Sequence, residues 1–245
     1  MPCTESYSNI PQILGGDLNM NTPTLTNQPP YLMQEWDNYA RLFASVTTSM
    51  QLEVYREACL HLSGDVIDCG CGSAKIAPLL LDEERVVSYT GVDYAEEMVS
   101  MARWILNNLQ CPAFTIRHGK IEDVDNRQFT SGVSIQSYYS WSDPVAVLTH
   151  VFTILAPGAV FVLATPNRKL ELAELARDAW KELLAHPDFE AYKAYNLKLA
   201  TNPQAHFISM GDLVSQVQQL GFRVEECHQR HFRGGLNFLV LRKNG

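Results

Sequence analysis

Val66-Ile67-Asp68-Cys69-Gly70-Cys71-Gly72-Ser73-Ala74 decides how this chain is read. An apolar run ends in glycines and passes into a helical pattern from Ser73 to Leu81, so the stretch reads as strand, tight turn and helix. Glycine lets backbone approach a ligand closely, and a helix N-terminus offers free N–H donors. A dinucleotide site asks for Gly-x-Gly-x-x-Gly. Lys75 stands at the third position, so that pattern fails. What stands there is Asp-x-Gly-x-Gly, whose acid suits a ligand bearing an ammonium group and repels a pyrophosphate. A strand–helix turn that holds no ligand is the alternative at this point.

Outward from that turn the chain alternates. Val86–Val92, Ala113–Arg117, Val133–Ser137 and the apolar run Ala159–Ala164 read as strands. Glu96–Asn108 and Pro144–Leu155 read as helices between them, the first with acids in its opening turn. Ser209 with Asp212 starts a last helix that ends at Gly221, followed by strands Phe222–Glu226 and Leu236–Leu241. The rhythm predicts an α/β fold: a Rossmann-like, doubly wound, seven-stranded sheet, mostly parallel, closed by an antiparallel C-terminal hairpin. Before the first strand, Trp36, Tyr39, Ala40 and Phe43 recur at helical spacing, and Thr48-Ser49-Met50-Gln51 fits a capping box. Residues 1–32 read as a flexible arm and 33–245 as a single domain. Within it, 168–206 form a helical insertion, a candidate lid, with Leu172, Leu175, Ala176, Ala179, Trp180 and Leu183 on one apolar face.

A second informative stretch is Tyr89-Thr90-Gly91-Val92-Asp93-Tyr94, followed by Met98. Asp93 ends its strand 23 residues past Gly70, an offset at which an acid accepts ribose hydroxyls. Its other reading is a helix N-cap.

Asp68-Cys69-Gly70-Cys71-Gly72, joined to Gly91-Val92-Asp93, Met98, Ala102 and Arg103, closely resembles the class I S-adenosylmethionine-dependent methyltransferases, over about residues 36 to 242. The resemblance implies S-adenosyl-L-methionine as cofactor. It implies that Asp68 and the backbone around Gly70 hold the methionine end, that Asp93 holds the ribose and that Tyr94 packs on the adenine. Cys71, Gly72, Met98, Ser137 and Tyr39 complete the implied cofactor set. The sequence departs from the family at Gly119-Lys120-Ile121, where Lys120 replaces the acid that commonly meets the adenine amine, and at Ser131-Gly132, where the family often has Phe-Asp. Ile121 retains a side chain and a backbone N–H for the ring.

On the substrate side, Gln136-Ser137-Tyr138-Tyr139-Ser140-Trp141 lies where ligands of open α/β sheets sit, beyond a strand's carboxyl end. Tyr138 and Tyr139 are candidates for a face against a flat or cationic acceptor, or simply for packing. His206, at the junction of insertion and resumed sheet, is the one histidine named as a base. The expected reaction is methyl transfer to a small molecule, N- favoured over O-methylation, with S-adenosylhomocysteine as product. Alternatives are aminocarboxypropyl transfer or cyclisation on the same cofactor, a non-catalytic cofactor-binding protein, and a nicotinamide enzyme, which Lys75 and Asp68 disfavour. Gln28-Pro29-Pro30-Tyr31 superficially resembles the box of adenine-N6 methyltransferases, but no strand precedes it.

The 245 residues carry 19 Lys+Arg against 27 Asp+Glu, a formal charge of −8, which disfavours nucleic-acid backbones as partners. The six cysteines form no Cys-x-x-Cys pair, and no metal is expected. No signal peptide or membrane span is visible, so a cytoplasmic location is expected.

Overall fold

The computed structural model describes residues 31–183 and 186–244. The expected arm lies outside these residues except for its last two positions, where the first helix already begins; most of the Gln28–Tyr31 box lies outside them as well.

Seven strands form one sheet among the described residues: β1 (Gly64–Cys69), β2 (Val86–Asp93), β3 (Phe114–His118), β4 (Phe129–Ile135), β5 (Leu155–Pro166), β6 (Phe222–His228) and β7 (Leu236–Lys243). Their order is β3-β2-β1-β4-β5-β7-β6. The first five are parallel, and β7 inserts antiparallel between β5 and β6. The order reverses between β1 and β4, the topological switch point at which such sheets bind ligands.

Successive strand residues point to opposite faces, so Val66 and Ile67 enter different cores. Ile67, Phe129, Phe161 and Leu239 pack under helices α5 (Pro144–Ile154) and α8 (Met210–Gln219), through Leu148, Val151, Leu213 and Val217. Val66, Tyr89, Val133 and Phe238 pack under α2 (Ser49–Cys59), α3 (Ala77–Leu81) and α4 (Glu96–Leu109), through Val54, Ala58, Leu80 and Ala102. The Thr48–Gln51 capping box is formed: the Thr48 hydroxyl accepts from the Gln51 N–H at 3.3 Å, and the Gln51 side chain accepts from the Thr48 N–H at 3.1 Å.

Three boundaries differ from the sequence reading. The glycine turn does not run straight into a helix; Ala74 takes φ +57°, and regular helix waits until Ala77. β4 begins at Phe129 and stops at Ile135, because Gln136 turns left-handed at φ +56°. Pro157-Gly158 does not precede β5 but lies inside it, where a register shift opposite Phe129–Ser131 absorbs the glycine's φ of +78°.

Helix α1 (Tyr31–Ser45) and the insertion helices α6 (Leu172–Leu183) and α7 (Phe189–Ala200) belong to neither sheet face. Tyr39, Val46, Tyr192 and Leu199 pack together with Trp36, Phe43, Leu183 and Tyr195, while Ala40, with Trp36 and Phe43 beside it, packs on Ala95 and Met98 at the start of α4. Helix α1 thus bridges α4 and the insertion above the strand ends.

Candidate functional site

A cavity of about 1960 Å³ opens at the carboxyl ends of β1, β2 and β4. Its floor is the glycine turn. Gly70 sits at φ +75°, and a Cβ there would fall 1.8 Å from Ser137 Oγ. The demand for glycine therefore comes from the neighbouring β4 turn, as well as from any ligand. Gly72, at φ +53°, faces the Phe43 ring of α1. Gly91 is required for packing: a Cβ there would meet Cys71 Sγ and Ile116 Cδ1, each at 2.8 Å. Cys71 lines the cavity, but burial pushes its thiol well up, so it stays protonated.

Asp68 lies at the floor and is 5% exposed. Burial lifts its carboxyl to about 7, against the lowering effect of the Tyr89 hydroxyl, which donates to Oδ2 at 2.7 Å; the nearby Asp93 charge adds to the lift. A carboxyl held this dry gains from a cationic ligand, which favours its ionised form. Asp93 ends β2 and braces two loops: its carboxylate accepts from the Gly72 N–H at 2.8 Å and from the Ala95 N–H at 2.9 Å. Asp93 therefore ties down the turn into α4 without being its N-cap, which is Ala95, and it lines the cavity. Burial pushes its carboxyl up, and those two N–H donors pull it back.

Beside Asp93, half-exposed Tyr94 lies 6.4 Å from His118 in a stacked pair, with Lys120 Nζ 5.8 Å from the Tyr94 ring centroid. Met98 and Ile121 close that flank, both buried and both lining the cavity. From the β4 turn come Ser137, Tyr139 and Trp141, with Trp141 Nε1 donating to Ser137 Oγ at 2.7 Å. Tyr139 packs between Trp36 and Phe207, and its hydroxyl has no hydrogen-bond partner among the described residues.

The outer half of the cavity is apolar. Leu172, Leu175, Ala176, Trp180, Phe189 and Tyr192 of the insertion form it, facing Trp36 and Phe43 of α1. Its cations are matched at once: Arg177 pairs with Glu174, Lys181 with Asp178 and Lys193 with Glu190. No histidine lines the cavity.

The structure brings Asp68, Gly70, Cys71, Gly72, Asp93, Tyr94, Met98, Lys120, Ile121, Ser137 and Tyr139 to this one cavity. Three expected residues stand elsewhere. Tyr138 turns into the α5–α8 core and donates to Gln216 at 2.7 Å, because the short helical turn at Tyr138–Ser140 sends adjacent tyrosines in different directions. Tyr39 is buried in the α1–α7 seam, stacked 5.1 Å from Tyr195 and bonded by Asn196 at 2.7 Å. His206 is exposed and meets the site only through its backbone N–H, which donates to the Tyr139 carbonyl at 2.8 Å.

Residues not singled out as ligand-facing also line the cavity, among them Gln51 and Tyr55 of α2, and Lys75. The helical period of α2 was legible, but nothing in it said that this helix borders a ligand. Away from the cavity, Glu57 gathers His228 at 2.9 Å, His231 at 2.5 Å and Arg230 at 2.6 Å. The ligating atoms of Glu57, His228 and His231 lie within 4.8 Å of one another. The Arg230 N–H lies 3.4 Å from His228 Nδ1. Through these contacts the cluster ties α2 to the end of β6.

The sequence profile of a methyltransferase domain matches residues 31–227. A probable S-adenosylmethionine-dependent methyltransferase of Mycolicibacterium smegmatis is 31% identical over 118 residues, 47% of this chain and 43% of that protein, so the match spans less than half of the relative's length. Among solved structures, the cyclase SpnF superposes with a TM-score of 0.66 at 13% identity, over 87% of this chain and 95% of its own. The mycolic acid cyclopropane synthase CmaA1, solved with S-adenosylhomocysteine and CTAB, superposes with a TM-score of 0.65 at 13% identity, over 89% of this chain and 100% of its own. At these identities the two structures share a fold with this chain.

Proposed function

Because this chain belongs to the S-adenosylmethionine-dependent methyltransferases, as the profile match over residues 31–227 shows, we propose that it transfers the cofactor's methyl group to a bulky, largely apolar small molecule. One observation carries this reading. The cavity of about 1960 Å³ continues without a break from the glycine floor to the apolar wall of α6 and α7. Pockets for a single small ligand run to about 300–1,000 Å³, so there is room for cofactor and acceptor together. Asp68 and the glycine turn would take the methionine end, Asp93 the ribose, and Tyr94, Met98 and Ile121 the adenine. Bound there, the cofactor supplies an electrophilic methyl on a sulfonium.

The chain's own part is alignment and exclusion of water. Tyr139, with an unpartnered hydroxyl beside the apolar wall, would orient the acceptor. With His206 exposed and no histidine in the lining, a nucleophile that is already neutral and electron-rich fits best. That favours an amine or ring nitrogen over a phenol or alcohol. The net charge of −8 argues against a nucleic-acid acceptor. No helix among the described residues is long and apolar enough to cross a membrane. The free cysteines Cys59, Cys69, Cys71, Cys111 and Cys227 suit work in a reducing cytoplasm.

The test is turnover with S-adenosylmethionine against paired aromatic amines and phenols of equal size. S-adenosylhomocysteine and a methylated amine are expected. Methylthioadenosine as product would shift the reaction to the aminocarboxypropyl arm, and binding without any turnover would leave a non-catalytic cofactor-binding protein.

A further inference from the structure

The cavity floor holds a cation that the fold leaves without an anion. Lys75 ends the glycine turn and lines the cavity. Its Nζ donates to the Val46 carbonyl at 2.5 Å and lies 3.8 Å from the centroid of the Phe43 ring. No carboxylate lies within ion-pair distance of it among the described residues. An ammonium has three donors, and one carbonyl and one ring face leave a donor over. Burial without a counter-charge is costly, and here it pushes the ammonium down to about 7.

The rest of the floor carries the opposite sign, in Asp68 and Asp93. A ligand that satisfies all three groups needs a cation, a diol or other donor pair, and one anion. S-adenosylmethionine has a single anionic group, the α-carboxylate at the end of its methionine arm. Lys75 lies three residues past Gly72, on the same turn that would carry that arm. We propose that Lys75 binds the α-carboxylate of the cofactor, and this rests on the reading of the cavity as a cofactor site. The contact would also tie the cofactor to α1, since Phe43 lies on that helix and Val46 directly follows it.

A purely structural role competes. Val46 follows the C-terminus of α1, and a lysine there stabilises the helix end. The two roles separate by ligand. Calorimetry would compare wild type and Lys75→Met against S-adenosylhomocysteine and 5′-methylthioadenosine, which lacks the amino-acid arm. In Lys75→Met, the first ligand is expected to weaken by about 10- to 100-fold and the second by less than about twofold. Lys75→Arg should restore most of the loss. Parallel weakening of both ligands, or of neither, overturns the proposal. Should Lys75→Met not fold, wild type alone decides. S-adenosylhomocysteine carboxamide is expected to bind at least about tenfold more weakly than the free acid, and equal affinities overturn the contact. If wild type binds methylthioadenosine and S-adenosylhomocysteine equally well, the cofactor site stands and the Lys75 contact falls. If it binds neither, the cofactor reading falls and takes this inference with it.

Discussion

The two halves of the cavity wall are built on different principles. The inner half is made of strand ends and the turns between them, where a Cβ at Gly70 would overlap Ser137 and the Asp93 carboxylate accepts from the Gly72 and Ala95 N–H groups. The outer half is made of three helices outside the sheet, held by aromatic packing and by a few hydrogen bonds, such as that of Asn196 to Tyr39 and those of the Ser49 N–H and hydroxyl to Glu182. The inner half cannot change shape without breaking the switch point of the sheet, whereas the outer half can repack. On the proposed function, the inner wall would hold one fixed cofactor and the outer wall would admit an acceptor, and that division of labour suits this difference.

The sharpest test of the rigid half is Gly70→Val. A side chain at φ +75°, with its Cβ overlapping Ser137, should abolish S-adenosylhomocysteine binding in calorimetry and cost several kcal/mol of stability, on the order of about 2–5. Retained binding would mean that the β4 turn yields and that the inner half is no more rigid than the outer. Asp93→Ala comes next, with cofactor affinity lowered by about 1–3 kcal/mol through loss of a charged acceptor. An unchanged affinity would remove Asp93 from the site and leave it as a loop brace alone.

The pH response of the floor is smaller. Asp68 is held up to about 7 by burial. A carboxyl whose folded value lies above its unfolded one, about 3.9, takes stability away as pH rises between the two, the reverse of an ion-paired aspartate. Cofactor binding runs the other way, because a cationic ligand favours the carboxylate. Affinity should therefore rise from about pH 6 to about pH 8, by at most about tenfold per unit. Lys75 opposes this as it loses its own charge, so the slope is read in a Lys75→Arg background. Asp68→Asn should flatten it; a slope that survives would belong to another group.

The smallest effect belongs to the outer half. Tyr39→Phe removes the Asn196 bond at 2.7 Å and is expected to cost about 1 kcal/mol of stability. It should raise the KM for the acceptor while leaving S-adenosylhomocysteine affinity unchanged. An equal loss in both would show that the two halves act as one body. Hydrogen exchange gives the same comparison without mutation: cofactor alone should protect the turns at Gly70 and Asp93, and cofactor with acceptor should extend protection to 34–46 and to the described part of 168–206.

The inner half was legible in the sequence because its demands are local. A glycine at a left-handed turn, or an acid at a strand end, is dictated by a handful of neighbouring residues, and Asp68-Cys69-Gly70-Cys71-Gly72 states that requirement outright. The seven-stranded, mostly parallel sheet with its antiparallel C-terminal pair followed from the same rhythm of apolar runs and helical periods. The outer half was legible only as helices. Whether Tyr39 faces a ligand or a seam depends on Tyr195 and Asn196, more than 150 residues away, and no spacing encodes that. Tyr138 and Tyr139 could not be told apart for a related reason. A short helical turn rotates adjacent side chains onto different faces, so one neighbour met the cavity and the other met Gln216. Lys75 could be seen as a departure from a nucleotide motif, but its burial against Phe43 and Val46 came only with the position of α1.

The placement of the indoles makes occupancy optically visible. Of the four tryptophans, Trp36, Trp141 and Trp180 line the cavity, while Trp104 stands exposed on the outside of α4. Trp141 belongs to the inner wall, and Trp36 and Trp180 to the outer. Their emission depends on how wet and how polar their surroundings are, so a guest at either wall changes it. Replacing Trp104 with phenylalanine would remove the one indole that lies outside the cavity, and single-tryptophan variants would then report the filling of each wall separately, in real time and without a label.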